Sequence, residues 1–366
     1  MSLRIVFYIS GHGFGHAARD IEIINALATR ADLHLTVRSD VPQWFMHESL
    51  RVPITQMPGA VDSGMLQPDG VSLDEDGSAR AAAAFYQDFA SRVATEADLI
   101  RSANAQLVIG DIPPLASAAA AAASVPAVAV GNFTWDWIYE AYPQFPSLAP
   151  GVIERISDGY RQTTLALRLP FHGGFASMPN VEDAPVIARR AHCDSVDTRR
   201  RLGLDAGKTM VLASFGGHGG QVALAPVAST ALTVVSVGDP AQHDAEESGV
   251  HVVSSEQLRR AGLTYTDLLA ASDVVLSKVG YGIVADCIAN QVPLLYTHRG
   301  RFVEQDVFDR ELPARLRCRH VHTATLRDGD WASEVSRLLA QPEPAASMPV
   351  NGAAVVADRI LRLVSS

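Results

Sequence analysis

Short apolar runs alternate with helical patterns along this chain, and the alternation occurs twice. In the first half, runs at residues 4–9, 33–37, 107–109 and 127–130 are separated by helical spacing over 20–28 and 80–102. A strand that returns through a helix runs parallel to its predecessor, so this order predicts an α/β fold with helices on both faces of a parallel sheet. A Pro/Gly-rich stretch from Leu169 to Val186 interrupts the pattern. The alternation then restarts, with strands expected at 210–214, 233–237, 250–253, 274–276 and 293–297. Two doubly wound, Rossmann-like domains are therefore expected, and 366 residues is long for a single core. The expected division is a first domain over 1–168, a linker over 169–186, a second domain over 187–346 and a final segment over 347–366. An apolar helix is expected from Gly352 to Val364 in that last segment. Residues 59–79 are rich in Gly, Asp and Ser and read as a long loop, a lid or a disordered segment.

Composition removes several function classes. A net charge of -10 argues against nucleic acid or an anionic membrane as the main partner, since both call for a basic surface. Cys193, Cys287 and Cys318 are far apart and lack metal-ligand spacing, so they read as reduced thiols of a cytoplasmic protein. The N-terminus reads as a first strand rather than a signal peptide, and the alanine tract 118–123 is too short to span a bilayer. Neither a DxD pair nor histidines at ligand spacing point to a metal.

Two glycine turns carry the chemistry. The segment Ser277-Lys-Val-Gly-Tyr-Gly282 follows an apolar run and precedes a helical pattern over 283–290. That order of strand, turn and helix suits a phosphate, because N–H groups at a helix start point outward and the helix dipole favours an anion. Lys278, Gly280, Tyr281 and Gly282 form this turn. Asp286, about one turn in, has the acceptor-only carboxylate that ribose hydroxyls need. Gly216, Gly217 and His218 form a second glycine turn after a strand, which pairs with the first. Glu304 and Gln305 offer acceptors for sugar hydroxyls, or else simply start a solvated helix.

At the other end, Gly11, His12, Gly13, Phe14, Gly15 and His16 form a loop after the first strand, with His16 where a dinucleotide fingerprint has its third glycine. An oxidoreductase is thereby disfavoured. His16 and His12 are candidate general bases, or else cap the helix or bond a carbonyl. Asp111 ends a strand, where open sheets keep their ligands; it either orients His16 or caps the next helix. The aromatic residues from Phe133 to Phe145 read mostly as core, with Trp135 or Trp137 as an exposed wall for an acceptor.

On these residues the chain resembles the GT-B fold glycosyltransferases. The run from Leu268 to Asp286, with Val292-Pro-Leu-Leu and Glu304-Gln305, is similar to the donor motif of that superfamily, including its MurG-like members. Gly11 to Arg19 and Ser277 to Gly282 are most similar to the glycosyltransferase-like half of plant arabinokinases and its stand-alone bacterial relatives. The resemblance implies two Rossmann-like domains facing a central cleft, with a final helix crossing back to the first. It implies Gly280 and Gly282 as the phosphate turn, Asp286 as the ribose-binding acid and Glu304 with Gln305 as donor-sugar contacts; Gly216, Gly217, His218, Lys278 and Tyr281 join this donor site on the turn readings above. It implies that the first domain binds the acceptor, with His16 as base; Gly11, His12, Gly13, Phe14 and Trp135 are the acceptor-side candidates, and Asp111 the candidate orienter, on the residue readings above. Ile283 stands where a Thr is frequent and Asp286 where Glu is usual. The expected activity is inverting, metal-independent transfer of a sugar from a nucleotide-diphosphate sugar to an acceptor hydroxyl. UDP is the expected nucleotide, no other cofactor is expected, and the acceptor is a small molecule, glycan or lipid-linked alcohol. A non-catalytic nucleotide-sugar or sugar-binding module, a nucleotide-sugar epimerase or hydrolase on the same fold, and a homodimer all stay open.

Overall fold

The structure is a computed structural model that describes residues 2–68, 71–215, 232–238 and 250–365. It divides into two compact units. The first comprises Met1–Leu66, Asp74–Ala188 and Pro349–Ser366; the second comprises Gln67–Leu73 and Arg189–Met348.

The first unit holds a seven-stranded sheet: β1 (Leu3–Ile9), β2 (Leu33–Arg38), β3 (Thr55–Met57), β4 (Leu107–Asp111), β5 (Ala127–Gly131), β6 (Leu165–Arg168) and β7 (Val181–Asp183). The spatial order is β3-β2-β1-β4-β5-β6-β7, and every pairing is parallel. β1, β4 and β5 are apolar on both faces because helices cover both. The helix Pro114–Ala123 starts with Pro at its first turn and lays small alanines against the sheet, where Ala116, Ala119 and Ala120 join Val6 and Val108 in one core cluster. Close approach is required there: a Cβ on Gly110 would stand 2.8 Å from the Ala116 methyl.

The second unit holds six strands: β8 (Thr209–Ser214), β9 (Leu232–Val237), β10 (Val250–Val253), β11 (Val274–Lys278), β12 (Leu294–Thr297) and β13 (Cys318–His320). Their order is β10-β9-β8-β11-β12-β13, again all parallel. Fully buried Trp331 closes the core against Val211, Leu276 and Leu295.

Several expectations are corrected. The stretch 169–186 is not a free linker: Val181–Asp183 adds the seventh strand by pairing with β6, and the first unit runs on through Ala188. The single helix expected over 80–102 is two, Glu75–Gln87 and Phe89–Ser102, broken at Asp88. The final helix, Gly352–Ser365, is not among these corrections: expected to cross back to the first domain, it groups with the first unit, where Gly352 donates its N–H to the Val186 carbonyl at 2.9 Å and Asp358 meets Arg30 at 2.9 Å.

In both units the chain runs outward from the first strand, then doubles back to place the fourth strand beside it. β4 lies against β1 in one unit and β11 against β8 in the other. The crevice beyond the C-terminal ends of such a strand pair is where open α/β sheets bind ligands.

Candidate functional site

Ile9, the last residue of β1, pairs with Asp111, the last of β4, so the Gly11–His16 loop and Asp111 meet at the switch point of the first unit. Gly13 caps the helix Phe14–Ala28 with φ +92°, a conformation that favours glycine. His16 lies in the first turn of that helix, and its Nδ1 is 2.8 Å from Asp111 Oδ1. Arg19, three residues on and so on the same helix face, donates to both oxygens of Asp111, and its Nη1 donates to Asn132 Oδ1 at 2.8 Å. Its Nη2 also comes within 3.1 Å of His16 Nδ1. Asp111 is fully buried. Burial opposes its charge, but the Arg19 guanidinium and then His16 hold its carboxyl below the ordinary range. Asp111 therefore sits against the histidine and does not cap the next helix, whose start has no side-chain cap.

His12 makes a second pair. Its Nε2 is 3.0 Å from Asp62 Oδ1, and Asp62 also accepts from Ser10 Oγ at 3.2 Å and Trp135 Nε1 at 2.9 Å. Burial works against the His12 cation, yet the bond to Asp62 and its charge, with Asp40 behind, move this histidine above its ordinary value. Asp62 itself resists burial through the charges of His12 and His16 and titrates below the usual carboxylate range. Trp135, expected as an exposed wall, is only 2% exposed and serves as a donor to Asp62. Phe14 is partly exposed and stacks on Phe45, with Trp44 edge-on beside it. Asp20 is the unusual member: neither carboxyl oxygen has a hydrogen-bond partner among the described residues, and burial and the Asp111 charge raise it well above the ordinary value.

At the switch point of the second unit, Ser277 of β11 pairs with Ser214 of β8. The Ser277 hydroxyl donates to the Ser214 carbonyl at 2.5 Å, and the Ser214 and Tyr265 hydroxyls lie 2.7 Å apart. Gly280 precedes the helix Tyr281–Asn290, which also contains Gly282. Gly280 is extended, and among the described residues nothing lies within 4 Å of where its Cβ would stand. Neither backbone nor packing demands glycine there, and the open space suits a ligand lying on the main chain. Lys278 Nζ reaches Gln67 Oε1 at 3.3 Å, and the Tyr281 ring is buried.

The three acidic and amide candidates of this unit are turned to internal work. Asp286 Oδ1 accepts the Arg189 N–H at 2.9 Å, and Oδ2 accepts from the Arg189 guanidinium, with Nε at 3.0 Å. Glu304 pairs with Arg299 at 2.8 Å, while Gln305 Oε1 accepts the Arg299 N–H at 2.5 Å and its amide donates to the Gly300 carbonyl at 2.9 Å. These two clamp the turn after β12. Gly216, Gly217 and His218 lie outside the described residues.

Arg19, Asn132, Asp62, Asp20, Arg189 and Arg299 are the site residues that sequence reasoning did not assign. Arg19 shares a helix face with His16, and Asn132 follows the C-terminal end of β5, so both carried a readable signal. Asp62 and Arg189 carried none, because their partners are 50 and 97 residues away.

No family model matches the chain. L-arabinokinase of Arabidopsis thaliana is 28% identical over 370 residues, covering 97% of this chain and 34% of its own length. The chain thus spans about a third of that curated relative. Among solved structures, a UDP-glucosyltransferase from Polygonum tinctorium described as capable of glucosylating indoxyl superposes with a TM-score of 0.63 at 12% identity, over 100% of this chain and 99% of its own. The glycosyltransferase VinC, solved with DTDP, gives 0.57 at 16% identity over 100% and 96%. With its two parallel-sheet units and these structural neighbours, the chain has the GT-B fold.

Proposed function

We propose that this protein is an inverting, metal-independent glycosyltransferase that moves a sugar from a nucleotide-diphosphate sugar, with UDP as the nucleotide, to an acceptor hydroxyl. The observation that carries the reading is the His16–Asp111 contact at the strand ends of the first unit. With Nδ1 turned to the carboxylate, Nε2 is the ring nitrogen left to take the acceptor proton. As the proton leaves, the acceptor oxygen bonds to the anomeric carbon and the bond to the diphosphate breaks, its electron pair departing with the diphosphate. Asp111 fixes the ring and stabilises the positive charge that forms on it. In the second unit, the open backbone at Gly280 and the helix start behind it suit the diphosphate. The three cysteines are unpaired, which supports a reducing, cytoplasmic setting.

A thermal-shift panel of UDP-, GDP-, TDP- and ADP-linked sugars tests the donor, since a ligand bound to the native state raises its stability. His16→Ala should keep the donor's shift and lose roughly 10²- to 10⁴-fold in transfer rate. Equal rates in His16→Ala and wild type would remove His16 as base. A second reading, a nucleotide-sugar-binding module without transfer, draws on the engagement of Asp286, Glu304 and Gln305 in internal bonds. It expects a donor shift with no product from any acceptor.

A further inference from the structure

The glycine loop carries two imidazole–carboxylate pairs, and only His16–Asp111 has been given work. The His12–Asp62 pair repeats the construction. A ring nitrogen is anchored on a carboxylate whose side chain is 1% exposed, and that carboxylate is fixed by Ser10 and Trp135. The His12 side chain is 31% exposed, against 12% for His16. Nδ1 is the ring nitrogen not turned to Asp62 Oδ1 and is the one available to a ligand. Gly64 lies flush against the ring: with φ +57°, it holds a place where a Cβ would stand 2.2 Å from a ring carbon. The two histidines flank an aromatic pair, Phe133 edge-on to His16 at 5.8 Å and Trp135 edge-on to His12 at 6.2 Å, with the two rings 5.0 Å apart.

The two pairs differ in charge. A general base becomes an imidazolium as it works, so the better base site is the one whose fixed charges favour that cation. Beside His16, Asp111 is already met by the Arg19 guanidinium on both oxygens. Beside His12, Asp62 accepts from the neutral donors Ser10 and Trp135 and pairs with no Arg or Lys among the described residues, and Asp40 adds a second negative charge.

We propose that His12–Asp62 is a second general-base pair, so that the acceptor is a polyol whose hydroxyls can be activated at either histidine. The proposal rests on the glycosyltransferase reading above. At His12 the hydroxyl proton passes to Nδ1 while the Nε2–H stays on Asp62. The acceptor oxygen bonds to the anomeric carbon, and the electron pair of the broken bond leaves on the diphosphate. Transfer to two different hydroxyls then follows, one governed by each pair.

The test incubates the full chain with the donor found in the thermal-shift panel and free monosaccharides as acceptor probes, and determines product linkage by NMR. His12→Gln should lower one linkage isomer by about 10- to 100-fold while the other persists, and His16→Gln should do the reverse, each less than the loss of a sole base. Asp62→Asn, nearly isosteric, covers the case in which His12→Gln folds poorly. In ¹⁵N-histidine spectra it should lower the His12 titration midpoint and move the acid limb of kcat/KM for that isomer to lower pH. An unchanged isomer ratio in His12→Gln, or an unchanged acid limb in Asp62→Asn, overturns the proposal and leaves the transferase reading standing. No product from the wild-type protein with any probe overturns both.

Discussion

Asp111 is a poor residue to delete as a test of catalysis, because the structure makes it a counterion first. Asp111 and Arg19 are both buried, with side chains 0% and 4% exposed, and the guanidinium donates to both carboxylate oxygens. Asp111→Ala would leave Arg19 in the core with its bond to Asn132 Oδ1 but without its counterion. Removing one partner of a buried ion pair costs about 3–5 kcal/mol, chiefly from the stranded charge. For a unit of this size each kcal/mol moves Tm by about 2–4 °C, so the first unit should melt about 6–20 °C lower. His16→Ala strands no charge, since Asp111 keeps Arg19, and should cost far less. Scanning calorimetry of both variants separates these outcomes. The double variant Arg19→Met/Asp111→Leu removes both charges together and should regain at least about 2 kcal/mol over the sum of the single changes. If Asp111→Ala melts within about 2 °C of wild type, or if the double variant is additive within about 0.5 kcal/mol, the pair is not the buried clamp described here.

Other perturbations read different parts of the molecule. Asp20 titrates well above its ordinary value, so the folded state holds an extra proton and loses stability as pH rises through the folded pKa. The Tm difference between Asp20→Asn and wild type should therefore shift in favour of the variant from pH 5 to pH 8; a constant difference would refute the raised titration. Gly352→Ala would place a Cβ 2.2 Å from the Pro185 carbonyl oxygen, and the final helix should loosen, seen as faster amide exchange over 352–365 with the second unit unchanged. Asp286→Ala strips the acceptor from the Arg189 N–H and the guanidinium, costing about 1–3 kcal/mol for each donor left buried. Asp286→Asn keeps Oδ1 for the N–H and should melt closer to wild type, which makes it the cleaner variant for nucleotide binding; equal melting of the two would mean that Arg189 is not held as described.

What the sequence made legible follows from how far each feature depends on distant partners. β1, β4, β8 and β11 are apolar along most of their length because both faces are covered, and that run is visible without knowing the neighbours. β3, β7 and β13 are three residues each and exist through pairing with β2, β6 and β12, so their own patterns say little. The Pro/Gly content of 169–186 marks irregular backbone correctly but does not distinguish a linker from loops packed inside one unit. At the site, the places of the Gly11–His16 loop, of Gly280 and of Asp111 after strands were readable from the sequence. The role of Asp286 was harder, since motif position fixes where the carboxylate starts and Arg189 fixes where it points.

The contrast between the two switch points is informative about the division of labour. The first unit concentrates buried ionisable groups there: Asp20, Asp62 and Asp111, with Arg19 and two histidines. Buried carboxylates are costly, and an apolar core of the same volume would usually be at least as stable, so packing alone does not account for three of them within one small region. A site that must move protons does need them. In the second unit the corresponding place holds Ser214, Ser277 and Tyr265, whose hydroxyls bond within the group, the Lys278 ammonium and a main chain at Gly280 that is open among the described residues, while the nearby Asp286 charge is covered by Arg189. That is an environment of donors with its carboxylate neutralised, which a diphosphate requires and a base would find useless. Charge placement within each unit, more than the shared fold, is the ground on which the proposed function gives acceptor activation to the first and the nucleotide to the second.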